Sequence, residues 1–425
     1  RAGPSLTALE VKSGRAPAHI PGAESFLRAF GPARILLVGA GFHLARKIRQ
    51  GEIPSGIQVD GLEFLQGPLY TFLETLDAPL SEGSPVEIDV ARGDVEVLAW
   101  DEPKVLVKVR KHLRASSEKE AAGTARAFRL RLEPAGGGLK AQVVPDPDTG
   151  RPAGLQTDFT VTVPRKARLR ITTGEGGVEV RGLGGDVVVL ASHGDVEASD
   201  LGGACEVTNR NGAVTAASVA GNVTILSEGG SVTVTRAGAN VEIDAPRGTV
   251  SVTEARGNVR IRDDHGDVRV EGAGGNVAVE GRNSTVTLER VAGSVEAGVE
   301  AEGLEARDVG GPVTIQAEAA SILLTDVRGR IQVNGRHTDV TLVRPGSDVE
   351  VRTTNQEIDL SVPPGSGFRL EADSEGGEIA SDIPGLHLPG DPVARFAGTV
   401  GDGRVRYKLF TSHSTIRIGT AQMGN

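Results

Sequence analysis

Residues 241–261 read VEIDAPRGT-VSVTEARGN-VRI, which is two units of nine residues followed by the start of a third. Each unit opens with two aliphatic residues separated by one polar residue, as in Val241 and Ile243. Two apolar side chains at this spacing lie on one face of a strand. Each unit ends in a turn, where glycine supplies the positive φ of a sharp corner and a short polar residue can hydrogen-bond the turn backbone.

The nine-residue unit continues far beyond this stretch. From Val178 to Ile358 every ninth residue is apolar, and the residue two places later is always aliphatic or alanine. Glycine commonly stands seven places after the first apolar residue, and Asp or Asn commonly follows it, as in Gly194-Asp195 and Gly257-Asn258. The unit is therefore V-x-V-x-x-x-x-G-[DN], repeated without a break.

A second period of 18 residues lies on top of the first. Five places after the start, alternate units carry an apolar residue, namely Leu183, Leu201, Val219, Ala237, Ala255, Ala273, Val291, Val309 and Val327. The units between them carry mostly polar residues there, among them Ser192, Arg210, Glu228, Asp264, Arg282 and Arg336. The true repeat thus has two strands and two unlike corners, one packed inward and one facing water.

These periods predict an all-β fold, a parallel β-solenoid with 18-residue coils. Each strand should pair in parallel with its copy one coil away, about 4.8 Å along the stack. Residues 178–360 would then form roughly ten coils, whose stability is nearly a sum over neighbouring coils. A β-sandwich would show irregular spacing and a propeller a period of about 40–45 residues, so neither fits.

The flanking sequence predicts four regions. Residues 1–84 are expected to be a basic, partly helical N-terminal segment, with helices over Glu24–Phe30, Pro32–Gln50 and Leu62–Leu76. Residues 85–172 are expected to be an irregular β leader of the solenoid, and residues 173–365 its regular body. Residues 366–425, where aromatic residues return after an aromatic-free stretch over 160–367, are expected to cap the open end.

Composition and charge narrow the functional classes. Residues 1–50 carry eight Lys/Arg and two Asp/Glu, a net charge of +6, which leaves −16 of the chain's total of −10 for residues 51–425. An acidic body argues against a nucleic-acid binder, whereas the basic N-terminus could contact an anionic membrane surface. The longest apolar stretch, Ala33–Ala45, is shorter than the roughly 20 residues that a membrane-spanning helix needs.

The chain also resembles a known family. The motifs are V-E-I-D-V-A-R-G-D-V-E-V over 86–97, Trp100-Asp101, V-T-V-P over 161–164, the Gly-Asp-Val and Gly-Asn-Val steps, and the terminal stretches over 403–409 and 414–418. They are similar to those of the bacterial "putative adhesin" β-strand-repeat proteins, a domain family of unknown function. The resemblance covers about residues 85–420 and implies a β-solenoid without catalytic residues; residues 1–84 match nothing in it.

Several residues and runs could carry chemistry, but each also fits a plain structural role. The run Ile35–Gly41 resembles a dinucleotide-binding turn but lacks the third glycine. His193, His265 and His337 share one repeat position but are 72 residues apart, or about 19 Å, too far to share a metal. With Asn211, Asn283 and Asn355 they suggest a left-handed backbone position. The acidic runs over 263–267 and 146–148 favour solvated turns over calcium loops. No catalytic, cofactor or metal residue is assigned.

The sequence therefore predicts a non-catalytic structural or adhesive β-solenoid that acts as a protein-interaction scaffold in the bacterial cell envelope, with no cofactor and no small-molecule substrate. Its partners are expected to be proteins that bind a solenoid face and residues 1–84. Its location is expected to be periplasmic or extracellular, with a cytoplasmic one left open. Two alternatives remain: an accessory subunit of a membrane-associated complex docked through residues 1–84, and a polymerising cytoskeletal protein similar to bactofilins.

Overall fold

The computed structural model describes residues 7–10, 35–38, 68–147, 149, 154–390 and 393–421. The chain divides into two units. The smaller, residues 1–68 and 114–117, contains β1 (Thr7–Glu10) and β2 (Ile35–Val38), which pair in parallel. The larger, residues 69–113 and 118–425, contains all the remaining elements and the predicted repeat.

The predicted N-terminal helices are not shown. Ile35–Val38 is a strand within the expected helix Pro32–Gln50, and Leu69–Leu76 belongs to a strand where the end of the helix Leu62–Leu76 was expected. A short apolar run such as Ile-Leu-Leu-Val fits a strand as well as a helix, so periodicity could not separate the two. From Leu69 to Glu74 exposed and half-buried residues alternate, which is a strand pattern. The predicted helix Glu24–Phe30 lies outside the described residues.

The larger unit is a stack of two parallel sheets, with the single helix α1 (Glu118–Ala127) among its described residues. Sheet I contains β4 (Pro85–Arg92), β7 (Phe128–Ala135), β8 (Gly138–Pro145), β10 (Arg168–Glu175), β12 (Val187–His193), β14 (Cys205–Asn211), β16 (Val223–Ser227), β18 (Val241–Asp244), β20 (Val259–Asp263), β22 (Val277–Arg282), β24 (Val295–Glu300), β26 (Val313–Glu318), β28 (Ile331–Arg336), β30 (Val349–Arg352), β32 (Phe368–Glu375), β34 (Arg395–Val400) and β35 (Val405–Ser412).

Sheet II contains β3 (Leu69–Pro79), β5 (Val95–Trp100), β6 (Lys104–Arg114), β9 (Gln156–Pro164), β11 (Val178–Arg181), β13 (Val196–Leu201), β15 (Val214–Val219), β17 (Val232–Ala237), β19 (Val250–Ala255), β21 (Gly266–Ala273), β23 (Ser284–Val291), β25 (Gly303–Val309), β27 (Ser321–Val327), β29 (Asp339–Val343), β31 (Ile358–Val362), β33 (Ile379–Ser381) and β36 (Ile416–Thr420). From β10 to β31 the strands alternate between the sheets, forming about 11 successive coils.

The predicted 18-residue register is confirmed. Val223 pairs with Val241, and Val241 with Val259, in adjacent strands of sheet I, and each of the three is about 1% exposed. The inward corner is confirmed as well, because Leu183, Leu201 and their counterparts up to Val327 are buried. The core is thus a ladder of aliphatic side chains, each packed on the copies above and below, which is how a chain with few aromatic residues fills its interior.

Glycine is needed at both kinds of corner because an added Cβ would collide with the neighbouring coil, and at one of them it also supplies a positive φ. Gly194 and Gly212, which lead from sheet I to sheet II, have φ of 128°, as expected for a sharp corner. Gly203, at the other kind of corner, lacks a positive φ, but a Cβ there would lie 2.5 Å from the carbonyl carbon of Gly185. This column therefore needs glycine because successive coils approach closely.

The polar residue after the turn glycine bonds to the next coil rather than within its own turn. Asn258 Oδ1 accepts the backbone N–H of Asn276 at 2.8 Å, and Asn240 Oδ1 accepts that of Asn258 at 3.0 Å. Asp195 accepts from Ala213 in the same way at the opposite corner. These side chains form ladders along the stack, which hold each coil in register with its neighbour.

The coils at both ends are stacked out of chain order. β4 pairs in parallel with both β8 and β10, and β5 with both β9 and β11, so the coil β4–β5 lies between coils that follow it in sequence. At the other end β35 pairs with β30 and β32, and β36 with β31 and β33. The last coil of the chain is thus inserted between two earlier ones.

Antiparallel strands close both ends of sheet I. β7 runs antiparallel to β8, β6 to β9, and β34 to β32. A further parallel coil would need an outer strand in the direction of the stack, and in sheet I the outermost strands β7 and β34 run against it. In sheet II the outermost strands are β3, which pairs with β6, and β33, which is parallel to β36. Natural sheets blunt their edges with such devices to avoid edge-to-edge association.

No helix among the described residues is long and apolar enough to cross a lipid bilayer.

Candidate functional site

A groove of about 790 Å³ lies on the outer surface of sheet I in the larger unit. It runs along the stack where the strands from β18 to β30 bend into their corners. Gly281, Val299, Ala317 and Gly335 form its floor, at the fifth position of successive strands. Because most of these residues are small, they leave the space of the groove open, and larger side chains at this position would fill it.

Two columns of outward residues border the floor. Rim A is the fourth position of each strand and consists of Asp244, Arg262, Glu280, Gly298, Gln316, Asn334 and Arg352. Rim B lies two residues later and consists of Pro246, Asp264, Arg282, Glu300, Glu318, Arg336 and Thr354. In the middle of rim A, Gly298 has open space around it, because an added Cβ would meet no atom within 4 Å.

The charges on the rims are largely paired along the stack. Arg262 Nε donates to Glu280 Oε2 at 3.1 Å, and Arg282 Nε lies 3.6 Å from Glu300 Oε2. Arg336 pairs with Glu318 one coil away. These side chains are half or more exposed, so each pair stabilises the fold by little and can exchange partners with a ligand.

Asp263 is the one carboxylate that belongs to the floor. Its side chain is 2% exposed, Oδ2 lies 2.5 Å from Ser284 Oγ, and Oδ1 has no hydrogen-bond partner. Burial raises the pKa of Asp263 above its ordinary value of 3.8, and the Ser284 contact offsets only part of that effect. An acid with a raised pKa can mark an active site, but Asp263 is covered by its neighbours and faces the core column that contains Asn209 and Ser227.

The described lining of the groove contains no aromatic residue, histidine, serine or cysteine. Sugar-binding grooves use aromatic faces for stacking. The hydroxyl groups of the lining are those of Thr353 and Thr354, and Thr353 Oγ1 donates to the carbonyl of Thr338 at 2.6 Å. What the groove offers is a regular series of guanidinium, carboxylate and amide groups along an open floor. This arrangement suits multi-point polar binding of a long partner better than enclosure of a small molecule.

The histidine column stays a structural feature. His265 Nε2 lies 3.4 Å from Asn283 Nδ2, and His337 Nε2 lies 3.3 Å from Asn355 Nδ2, one coil away in each case. The predicted left-handed backbone is found at Asn283, His337 and Asn355 but not at His193, Asn211 or His265. The prediction was wrong for the latter three because glycine follows them and takes up the positive φ of the corner, as at Gly194.

The other candidates are not gathered into a site. Among the described residues no group of three or more His, Cys, Asp or Glu could hold a metal ion. Asp264 is exposed beside the buried Asp263, whereas Asp148 and the last three residues of the run Ile35–Gly41 lie outside the described residues. The thiol of Cys205 is buried, and burial raises its pKa to about 12, so it is a core residue rather than a nucleophile.

One series of polar contacts at the start of the stack had no signal in the sequence pattern. Thr71 Oγ1 lies 3.1 Å from His112 Nδ1, and His112 Nε2 lies 2.9 Å from Asp158 Oδ2. Next to it, the buried Lys111 donates to Glu74 and to the carbonyl of Ala125. Thr71 is on an exposed strand. The contacts among Thr71, His112 and Asp158 therefore hold β3 against β6 and β9 rather than activating a hydroxyl.

Comparisons with known proteins add names but little else. No protein-family model matches the chain, and no curated protein matches its sequence. One similar solved structure is a "putative cell adhesion protein" from Clostridium sporogenes, with 8% identity, a TM-score of 0.20, and coverage of 83% of this chain and 100% of that one. Another is a "putative adhesin" from Bacteroides fragilis, with 13% identity, a TM-score of 0.18, and coverage of 64% and 97%.

Both names agree with the bacterial adhesin-like family that the repeat motifs resemble, and the larger unit is a β-solenoid. TM-scores of this size do not establish a shared fold. The functional proposal therefore rests on the residues of this chain.

Proposed function

We propose that this chain is a non-catalytic adhesive module of the bacterial cell envelope, which binds a macromolecular partner along the groove of sheet I. The groove is the observation that supports this function best. It follows seven strands, β18 to β30, and presents charged and amide groups at every coil. The resemblance of residues 85–420 to adhesin-like repeat proteins supports the envelope setting.

The physical basis is multi-point attachment. Each exposed ion pair contributes only about 0.2–1 kcal/mol, so one coil alone would bind weakly. A stack repeats such contacts in a fixed register, and several weak contacts on a rigid frame lose little further entropy once the first has formed. The rigid frame follows from the aliphatic ladder and the Asn and Asp ladders described above.

A bead-adhesion experiment tests the proposal. Beads coated with the full chain are expected to attach to bacterial cells, and Gly298→Tyr is expected to reduce attachment severalfold by filling the groove. The substitution should not disturb the fold, since space around Gly298 is open. Ala278→Tyr is the matched control, because Ala278 is an outward residue of the neighbouring strand β22 outside the groove lining. Equal attachment by native chain and Gly298→Tyr would contradict a role for the groove.

The other expected partners stay predictions. Docking through residues 1–84 and contact of the basic N-terminus with a membrane surface concern residues that are mostly outside the described ones. The acidic body still argues against nucleic acid. The polymerising alternative is disfavoured by the antiparallel strands β7 and β34, which end sheet I on its two sides. Electron microscopy of the purified chain tests it directly, since end-to-end filaments would be visible.

A further inference from the structure

The charges on the two rims are approximately antisymmetric about the level of β24, because residues equally far from it on either side carry opposite charge. On rim B, Asp264 and Arg336 lie two coils on either side of Glu300, and Arg282 and Glu318 lie one coil on either side. On rim A, Asp244 and Arg352 lie three coils on either side of Gly298. In all three cases the two residues have opposite charge.

We propose that the macromolecular partner of the groove is a second copy of this chain, docked face to face and antiparallel; this inference rests on the proposed function. The two-fold axis lies along β24, so each rim faces its own reversed copy. Asp264 then faces Arg336 of the second copy, Arg282 faces Glu318, and Asp244 faces Arg352. Because a two-fold axis relates the two copies, each contact occurs twice in the dimer, as in any isologous interface.

The centre of the interface permits close approach. Gly298 faces its own copy at the axis, and neither chain has a side chain there. Neutral amides, Gln316 and Asn334, fill the rest of rim A on one side and face Glu280 and Arg262 of the second copy. Amides can donate to the carboxylate and accept from the guanidinium, so these contacts are polar and compatible.

Glu300 is the one residue that faces a like charge, namely its own copy at the axis. Each Glu300 lies 3.6 Å from Arg282 of its own chain, which offsets part of the repulsion. The interface is therefore predicted to be limited by this pair, and removal of the charge should strengthen it.

The spacing of the coils favours a second solenoid over an extended peptide. Coils repeat at about 4.8 Å along the stack, whereas an extended chain advances about 3.3 Å per residue. A peptide laid along the groove would lose register within a few coils. A second copy has the same repeat, so charge pairs can stay aligned over all seven strands, a length of about 29 Å.

The dimensions predict a weak dimer. A face about 29 Å long and one strand of five residues wide covers roughly 500 Å² per copy. This is smaller than a standard specific protein interface, so we expect a weak dimer, with a dissociation constant on the order of 10–100 µM. Weak pairing suits adhesion between surfaces that display many copies, because avidity multiplies it.

Sedimentation equilibrium of the full chain over a concentration series tests the proposal. The native chain is expected to dimerise in the stated range. Arg282→Glu should weaken the dimer at least about tenfold, because it creates two like-charge contacts with Glu318. Adding Glu318→Arg to Arg282→Glu should restore affinity to within about threefold. Glu300→Gln should strengthen the dimer, and Glu206→Arg, an exposed charge change on sheet I outside the groove lining, should leave it unchanged.

A parallel arrangement predicts a different rescue. If the two-fold axis ran along the stack instead, Arg282 would face Glu280 of the second copy, and Glu280→Arg rather than Glu318→Arg would restore the Arg282→Glu variant. That result would overturn the antiparallel geometry. A chain that stays monomeric at about 1 mM would overturn the self-docking altogether. If groove-dependent attachment of beads to cells survived in that case, the proposed function would stand with another partner.

Discussion

Replacement of Asp263 by asparagine is expected to stabilise the protein at neutral pH. Asp263 is nearly fully buried, and its Oδ1 accepts no hydrogen bond. Asn209 occupies the same core column three coils earlier, where its Nδ2 donates to the carbonyls of Gly194 and Gly212 at 3.1 and 3.2 Å. The glycines at the matching positions beside residue 263 are Gly248 and Gly266, so asparagine should find equivalent acceptors.

The size of the effect follows from the cost of a buried group without its partner, about 1–3 kcal/mol. Asparagine removes the charge and adds hydrogen bonds, while its own Oδ1 remains unpaired, as it does in Asn209. A gain of about 1–2 kcal/mol at pH 7 is therefore expected.

The gain should depend on pH with a defined sign. The folded-state pKa of Asp263 is raised above the ordinary 3.8, so the folded protein binds the proton more tightly than the unfolded chain. Stability of the native sequence then falls as pH rises from 3.8 through the folded-state pKa. Below 3.8 the acid is protonated in both states, and the advantage of asparagine should shrink towards the difference between two neutral side chains.

Hydrogen exchange of the peptides around residues 259–291, combined with urea unfolding at several pH values, measures the effect locally. A local measurement is needed because a stack of repeats need not unfold in one step. Asp264→Asn removes a charge from the exposed neighbour and should leave stability unchanged. Equal protection of the native and Asp263→Asn proteins at pH 7, or a loss of protection at every pH, would refute the reasoning.

Three further predictions concern the stack. Asn258→Ala should cost about 1 kcal/mol in local exchange stability, because it leaves the N–H of Asn276 without its 2.8 Å acceptor; an unchanged value would show that the ladder does not stabilise the coil. Glu254→Gly should add about 1 kcal/mol, since Glu254 has φ of 57°, a left-handed conformation that glycine adopts without strain; Thr253→Gly in the same strand is the control and should destabilise. Cys205 should resist alkylation in the native protein at pH 8 and react fully after unfolding, as followed by mass spectrometry, because its buried thiol has a pKa of about 12; rapid native labelling would mean that the coil opens readily.

The repeat was predictable because every coil places the same chemistry at the same position. Val223 and Val241 are 18 residues apart in sequence and neighbours in the sheet, so periodicity alone determines the register. The positions of the inserted coils in the stack were harder to predict, although their nine-residue units are visible in the sequence. Val86 and Val95 are nine residues apart, as are Tyr407 and Ile416. Spacing within a unit identifies a coil but does not show which coil lies beside it, because long connections allow either order.

The groove could be predicted only in part. Alignment of the sequence in steps of 18 places Gly298, Gln316 and Asn334 in one column and shows that charge is lost there. The inward fifth position could also be inferred, since Asn209, Ser227 and Gly281 are all small. The concavity itself depends on how the strands bend at that corner, which no single-sequence pattern encodes. Likewise, the contact between Thr71, His112 and Asp158 joins three strands that are far apart in sequence.

A solenoid of this kind has an unusual relation between stability and specificity. Its core ladder is almost the same at every coil, so the core cannot distinguish one level from another. Antiparallel strands close both ends of sheet I, and the most regular surfaces of the stack are its sides. Recognition must then depend on the order of side chains along a column rather than on their composition. For this reason the double exchange of Arg282 and Glu318, which keeps the composition and reverses the order at two levels, separates a specific interface from general charge attraction more sharply than neutralising either residue.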